Sequence, residues 1–178
     1  MTTSLSALRA RLPDAPEVYA HPSEAQTLVF LFFVTFARFE CALKDAGFFV
    51  KRDGDAEADW DAFANSLRGK LESKRTPELA DAIDYLTNHP PRKEVVAARE
   101  LSWAPLSHGK GESTEAWFLR LVRRIRNNLF HGGKGRYPYG PVPEPSRDSK
   151  LLYCGLVVLS ECLSLSPEVE RAFKDPLH

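Results

Sequence analysis

Arg126 and His131 are the residues best suited to chemistry in this chain of 178. They bracket Asn127-Asn128-Leu129-Phe130 and are followed by Gly132-Gly133. Arginine offers a planar fork that can grip two phosphate oxygens, and it stays charged at any working pH. Histidine exchanges a proton near neutrality. Together they suit phosphodiester cleavage, one group moving a proton while the other neutralises charge at phosphorus. From Ala116 to Val142 there are six Lys/Arg (Arg120, Arg123, Arg124, Arg126, Lys134, Arg136) and no Asp or Glu. The chain is formally neutral, with 24 Lys+Arg against 24 Asp+Glu. Positive charge gathered around one histidine in a neutral protein makes a local anion site rather than a general polyanion coat.

The element carrying this stretch is a helix. Ser113 or Thr114 caps it, and Trp117, Phe118, Leu121, Val122, Ile125 and Leu129 form its apolar face. Gly132 and Gly133 end it. Five helical residues turn through about 140° and rise about 7.5 Å, so Arg126 and His131 would not share a face of a regular helix. At the C-cap the histidine escapes that rule, and a long arginine can reach over the last turn. The helix C-terminus carries partial negative charge, which favours His⁺ but repels an anion. Phosphate binding here therefore needs Arg126, helped by Arg123, Lys134 or Arg136. The dipole alone also favours basic residues at such a place, and Arg120 and Arg124 read as a solvated i,i+4 pair.

The remaining elements frame that helix. Residues 1–22 form an N-terminal arm, and 23–178 a single domain. A capping box, Ser23 with Gln26, opens a first helix that runs to Ala46, with Gly47 at C′. This helix carries Phe30, Phe33, Phe36 and Phe39 and is apolar around much of its first half. Its second half presents Glu40 and Lys44 as a solvated pair. Lys51 to Asp59 is a polar connection. Trp60, Phe63, Ala64, Leu67 and Leu71 predict a second helix of about four turns. Thr76-Pro77-Glu78 opens a third, which Pro90-Pro91 stop. Glu94 to Leu101 is a short fourth segment. Gly132 to Pro145 is a loop with four Gly and four Pro. A last long helix spans roughly Asp148 to Leu163, and Ser166-Pro167-Glu168 opens a final short one. No hairpin pattern stands out. The expected fold class is all-α, a bundle of four to five main helices with short accessory helices.

Bulk properties narrow the function. Cys41, Cys154 and Cys162 lie in apolar helical patterns without C-x-x-C spacing, as reduced core thiols of a cytoplasmic protein do. No signal peptide is apparent. The most apolar run, Leu28 to Ala37, is about half the roughly 20 residues of a membrane span. His21, His89, His108 and His178 are scattered with no H-x-x-x-H, so no metal site is expected. No nucleotide-binding glycine loop is present, and no cofactor is expected.

The stretch Arg126-Asn127-Asn128-Leu129-Phe130-His131 resembles the R-x4-6-H signature of the HEPN (higher eukaryotes and prokaryotes nucleotide-binding) superfamily. Arg38 to Lys44, Ala46-Gly47-Phe48 and Asp59-Trp60-Asp61 resemble a plasmid- and defence-associated branch. The likeness covers roughly Ser23 to Leu165. It implies a helical bundle that homodimerises and brings two motifs into one cleft. It further implies a metal-independent endoribonuclease, acting as a toxin or phage-defence effector with a possible antitoxin or defence partner. His131 would then be the acid/base group, Arg126 would hold the scissile phosphate, and Asn127 would orient the pair or the RNA. Arg123, Lys134 and Arg136 would contact phosphates, and Tyr137 or Tyr139 would stack on bases. One toxin group of the family carries a Tyr two residues past the His; here Gly133 stands there, so that regulation does not transfer. The alternative is a HEPN-type module that binds RNA or a nucleotide, or dimerises, without cleavage. A third reading is a purely structural bundle.

Overall fold

The computed structural model describes residues 24–52, 54–73, 76–97, 99–130 and 145–175. Among these there are seven helices and two antiparallel hairpins. The fold is thus mainly helical rather than all-α. Helix α1 (Glu24–Asp45) leads into β1 (Phe49–Arg52) and β2 (Asp55–Ala58). Short helices α2 (Trp60–Ser66) and α3 (Lys70–Ser73) follow, then α4 (Pro77–Asn88). Strands β3 (Lys93–Ala97) and β4 (Glu100–Ala104) precede α5 (Thr114–Phe130), α6 (Pro145–Ser164) and α7 (Pro167–Lys174).

Local chemistry accounts for the helix boundaries. Helix α1 ends where Phe48 N–H donates to the Leu43 carbonyl at 2.8 Å and Gly47 N–H to that of Lys44 at 3.0 Å. This paired closure needs a left-handed residue, and Gly47 supplies it with φ +90. Thr76 caps α4 by accepting from Leu79 N–H at 3.2 Å, with Pro77 at the first helical position. Ser113, not Thr114, caps α5, its Oγ accepting from Ala116 N–H at 3.2 Å. Helix α6 begins at Pro145, three residues ahead of the expected start, so this proline opens a helix instead of closing the loop.

Three expectations are corrected. The four-turn helix expected over Trp60 to Leu71 is broken after Ser66, and the backbone turns at Gly69, φ +76. Leu67 and Leu71 still reach the core, both 0% exposed. The polar connection and the fourth segment are both hairpins. In the first, Arg52 faces Asp55, and Gly54 takes φ +98 in the turn. In the second, Ala97 faces Glu100, and Arg99 takes φ 67 in the turn.

The core is one aromatic and aliphatic cluster to which all seven helices contribute, α3 through Leu71 and α7 through Val169. Helix α6 packs against α1, α4 and α5, and α1 also meets α7, which folds back after a 111° bend from α6. Arg38 ties that return, donating from Nε to the Phe173 carbonyl at 2.9 Å. Gly155 marks the closest approach of α6 to α1: a Cβ there would lie 2.8 Å from Phe32 Cε2. Cys154 and Cys162 are buried in α6, and burial pushes both thiols up in pKa. Cys41 is half-buried. No single helix among the described residues is long and apolar enough to cross a membrane.

Candidate functional site

The aromatic residues of α1 and α2 build a shelf beneath one face of α5. Trp60 stacks on Phe39 at 5.4 Å between centroids, nearly parallel at 6°, and on Phe36 at 5.4 Å. All three rings are buried. The shelf exists because Phe36 and Phe39 lie three residues apart on the inward face of α1. Trp60 is the first residue of α2, which Asp59 caps by accepting from Ala62 N–H at 2.9 Å.

Two arginines of α5 rest on this shelf. Arg126 Cζ lies 5.7 Å from the Phe36 centroid, and Arg123 Cζ lies 5.8 Å from that of Trp60. Positions three apart share a helix face, so both guanidinium groups project from one side of α5. Within about 6 Å the ring quadrupole attracts a cation and limits its wandering. Arg126 Nη1 also donates to Asn127 Oδ1 at 3.3 Å. The side chains of Arg126 and Asn127 are half-exposed, and Arg123 is exposed. The result is a pair of oriented, accessible forks on an apolar base, a geometry able to bind a phosphodiester.

Glu40 belongs to this shelf rather than to a solvated pair with Lys44. Its Oε1 accepts from the Trp60 indole N–H at 3.3 Å, which fixes the ring that Arg123 covers. Burying an indole requires a partner for its N–H, and a carboxylate one helix away supplies it.

The other basic residues of α5 separate from these two. Arg120 is not a solvated partner of Arg124. Its Nε and Nη2 both donate to the Glu112 carboxylate at 2.7 Å, and Nη2 donates to the Ser107 carbonyl at 2.9 Å. Its guanidinium also lies 4.5 Å from the Trp117 centroid. The Arg120 fork holds the Glu112 carboxyl below the usual glutamate range, aided by Gly109 N–H. Arg120 therefore fastens the loop ahead of α5 and is not available to a ligand.

Of the residues expected to act, Arg126, Asn127 and Arg123 are thus brought together at one face. His131, Lys134, Arg136, Tyr137 and Tyr139 lie outside the described residues, as does the N-terminal arm. Sequence reasoning missed Phe36 as the support of Arg126, since no local pattern links positions 90 residues apart. It also missed Asn128, whose Nδ2 donates to the Arg92 carbonyl at 2.8 Å and ties α5 to the segment before β3.

A further feature of α1 borders the shelf. Phe30, Leu31, Phe33 and Val34 are 68%, 51%, 43% and 44% exposed, respectively. No charged residue occurs from Ala25 to Ala37. Comparison with protein-family models, with curated proteins and with solved structures gives no match to this chain.

Proposed function

We propose that this chain is a metal-independent endoribonuclease of the HEPN type, a cytoplasmic toxin or phage-defence effector whose site is completed by a second copy. The observation that carries the reading is the pair of forks, Arg123 and Arg126, oriented over Phe36 and Trp60. They stand one to two turns ahead of His131 in an R-x4-H stretch. In this account Arg126 grips the scissile phosphate. The 2′-hydroxyl attacks phosphorus, its proton passing to one His131, and the bond to the 5′-oxygen breaks. A proton from the other copy's His131 goes to that leaving oxygen. The products are a 2′,3′-cyclic phosphate and a 5′-hydroxyl. Asn127 keeps the Arg126 fork aligned, and Lys134, Arg136 and Tyr137 extend the RNA contact.

The exposed apolar stripe of α1 supports the second copy. Uncharged and continuous with Phe36, it can meet itself across a two-fold axis, as closed dimer interfaces require. The four side chains offer roughly 300–400 Å² per copy, comparable with the largest apolar patch of a typical monomer, which is often functional.

One observation also favours non-catalytic binding of RNA or a nucleotide: an arginine fork held on an aromatic base grips phosphate equally well without cutting it. Incubating RNA in EDTA with the wild type, Arg126→Ala and His131→Ala separates the readings. Cleavage lost in both variants is expected. Cleavage surviving in both overturns the site, and tight binding without any wild-type cleavage favours the binding module.

A further inference from the structure

The outward face of α5 has two flanks. Successive helical residues lie about 100° apart, so Arg124 is turned about 100° from Arg123 and about 160° from Arg126. Arg123 and Arg126 lean over Trp60 and Phe36, on the flank that α1 and α2 cover. Arg124 belongs to the opposite flank, in line with Asn128 one turn later. There Asn128 Nδ2 donates to the Arg92 carbonyl at 2.8 Å, which seats the start of the second hairpin against α5. Arg92 and Lys93 are exposed, and Arg124 is half-exposed.

These cations lack the counter-charges found elsewhere in the fold. Arg52, Arg120 and Lys174 pair with Glu57, Glu112 and Glu170 at 3.5, 2.7 and 2.6 Å, respectively. Among the described residues, the side chains of Arg92, Lys93 and Arg124 make no ion pair and no hydrogen bond. No Asp or Glu occurs from Ala116 to Phe130. Glu94, the nearest acid in β3, alternates to the face of the strand opposite Lys93. Like charges gathered in this way repel one another in the free protein, and a polyanion that sheds its counterions onto them relieves that repulsion. With Arg123 and Arg126 they form a file that runs across α5 rather than along it. A helix with its side chains is about 10–12 Å wide, a distance that an extended strand spans in a few nucleotides. A file one cation wide suits a single extended polyanion better than a broad acidic protein surface.

We infer that single-stranded RNA crosses α5 along this file, so that Arg124, Arg92 and Lys93 hold phosphates on the far flank from the one at Arg126. The inference rests on the RNA reading above, but its test does not require cleavage. A fluorescent, uncleavable 2′-O-methyl RNA of ten nucleotides would be titrated with the full chain at several salt concentrations, followed by anisotropy. Arg92→Ala/Arg124→Ala should bind at least fivefold more weakly than the wild type while melting at a similar temperature. Its slope of log K against log salt should be shallower by about 1.4, the value for two phosphate contacts on a single strand. Arg92→Lys/Arg124→Lys should keep the wild-type slope. Lys70→Ala/Lys110→Ala removes two exposed cations elsewhere and should leave slope and affinity unchanged. An unchanged slope in the Arg92/Arg124 alanine variant, or an equal change in the Lys70/Lys110 variant, would overturn the assignment. So would a deca-glutamate peptide that displaces the RNA as effectively as unlabelled RNA does. The expected change of slope in a protein that cuts no unmodified RNA would support the file and count against the ribonuclease reading. Cutting of RNA with an unchanged slope would do the reverse.

Discussion

The guanidinium of Arg126, on α5, lies 5.7 Å from the ring centroid of Phe36, on α1. Ninety residues separate them in the chain, yet the second fixes where the first can act. Phe36 is 3% exposed, so the half-exposed arginine stands on a rigid surface. A flexible ammonium cannot reproduce that planar, stacked fork. Arg126→Lys should therefore keep the charge and the fold but lower cleavage at least tenfold. Initial rates on a short RNA, beside thermal melts, check this. Near wild-type rates for the lysine variant would show that charge alone suffices.

The apolar stripe of α1 carries the next expectation. Placing a carboxylate at Phe30 or Phe33 should leave the monomer folded, because both rings already face solvent. If a second copy completes the site as proposed, the substitution should prevent dimerisation and abolish cleavage together, since each half site would lack its partner. Sedimentation of Phe33→Glu at several concentrations, with RNA cleavage measured on the same samples, tests the link. A monomeric variant with full activity would remove the second copy from the site.

Gly155 predicts a packing penalty. A methyl group there meets Phe32 at 2.8 Å and Ile125 at 3.5 Å, both in the core. Gly155→Ala should cost about 1–3 kcal/mol through overpacking, despite alanine's better helix propensity. Urea unfolding measures it, and a stabilised variant would mean that α1 and α6 lie farther apart.

Glu112 gives a pH dependence of known sign. Its folded pKa is depressed, chiefly by hydrogen bonding to Arg120. The stability it contributes is thus fully present above the ordinary glutamate range. It is lost as pH falls through that range toward the lower folded value. The pair is partly open to solvent, so the contribution is no more than about 1 kcal/mol after screening. Glu112→Gln should be less stable than the wild type at pH 7, with the gap closing below about pH 4. A gap that persists or widens in acid would contradict this origin.

These contacts also show how far the chain could be read in advance. Thr76, Ser113 and Gly47 announced their helix ends because capping is local chemistry within a few residues. The first hairpin was equally local: Asp53-Gly54 is a strong two-residue turn signal. It was hidden because β1 and β2 are largely exposed and lack the apolar alternation of a half-buried strand. The second hairpin turns at Arg99, with no glycine or asparagine to mark it, and so left no sequence signature. At the site, Arg123 and Arg126 were legible from type and spacing, and Asn127 only from the family resemblance. What each arginine does was not. Arg120 and Arg123 look alike in sequence, and only tertiary partners, Glu112 for one and Trp60 for the other, separate a structural clamp from an accessible fork.

The central claim is that RNA is cut by attack of its own 2′-hydroxyl, with Arg126 and His131 as the essential groups. An end-labelled RNA carrying a single 2′-deoxy substitution at a cleaved position, incubated in EDTA, tests this most directly. Cutting should vanish at that linkage alone, while unsubstituted sites still yield 2′,3′-cyclic phosphate ends, and Arg126→Ala and His131→Ala should leave every site intact. Cleavage at the deoxy linkage, or undiminished cyclic-phosphate formation by either variant, would contradict the account.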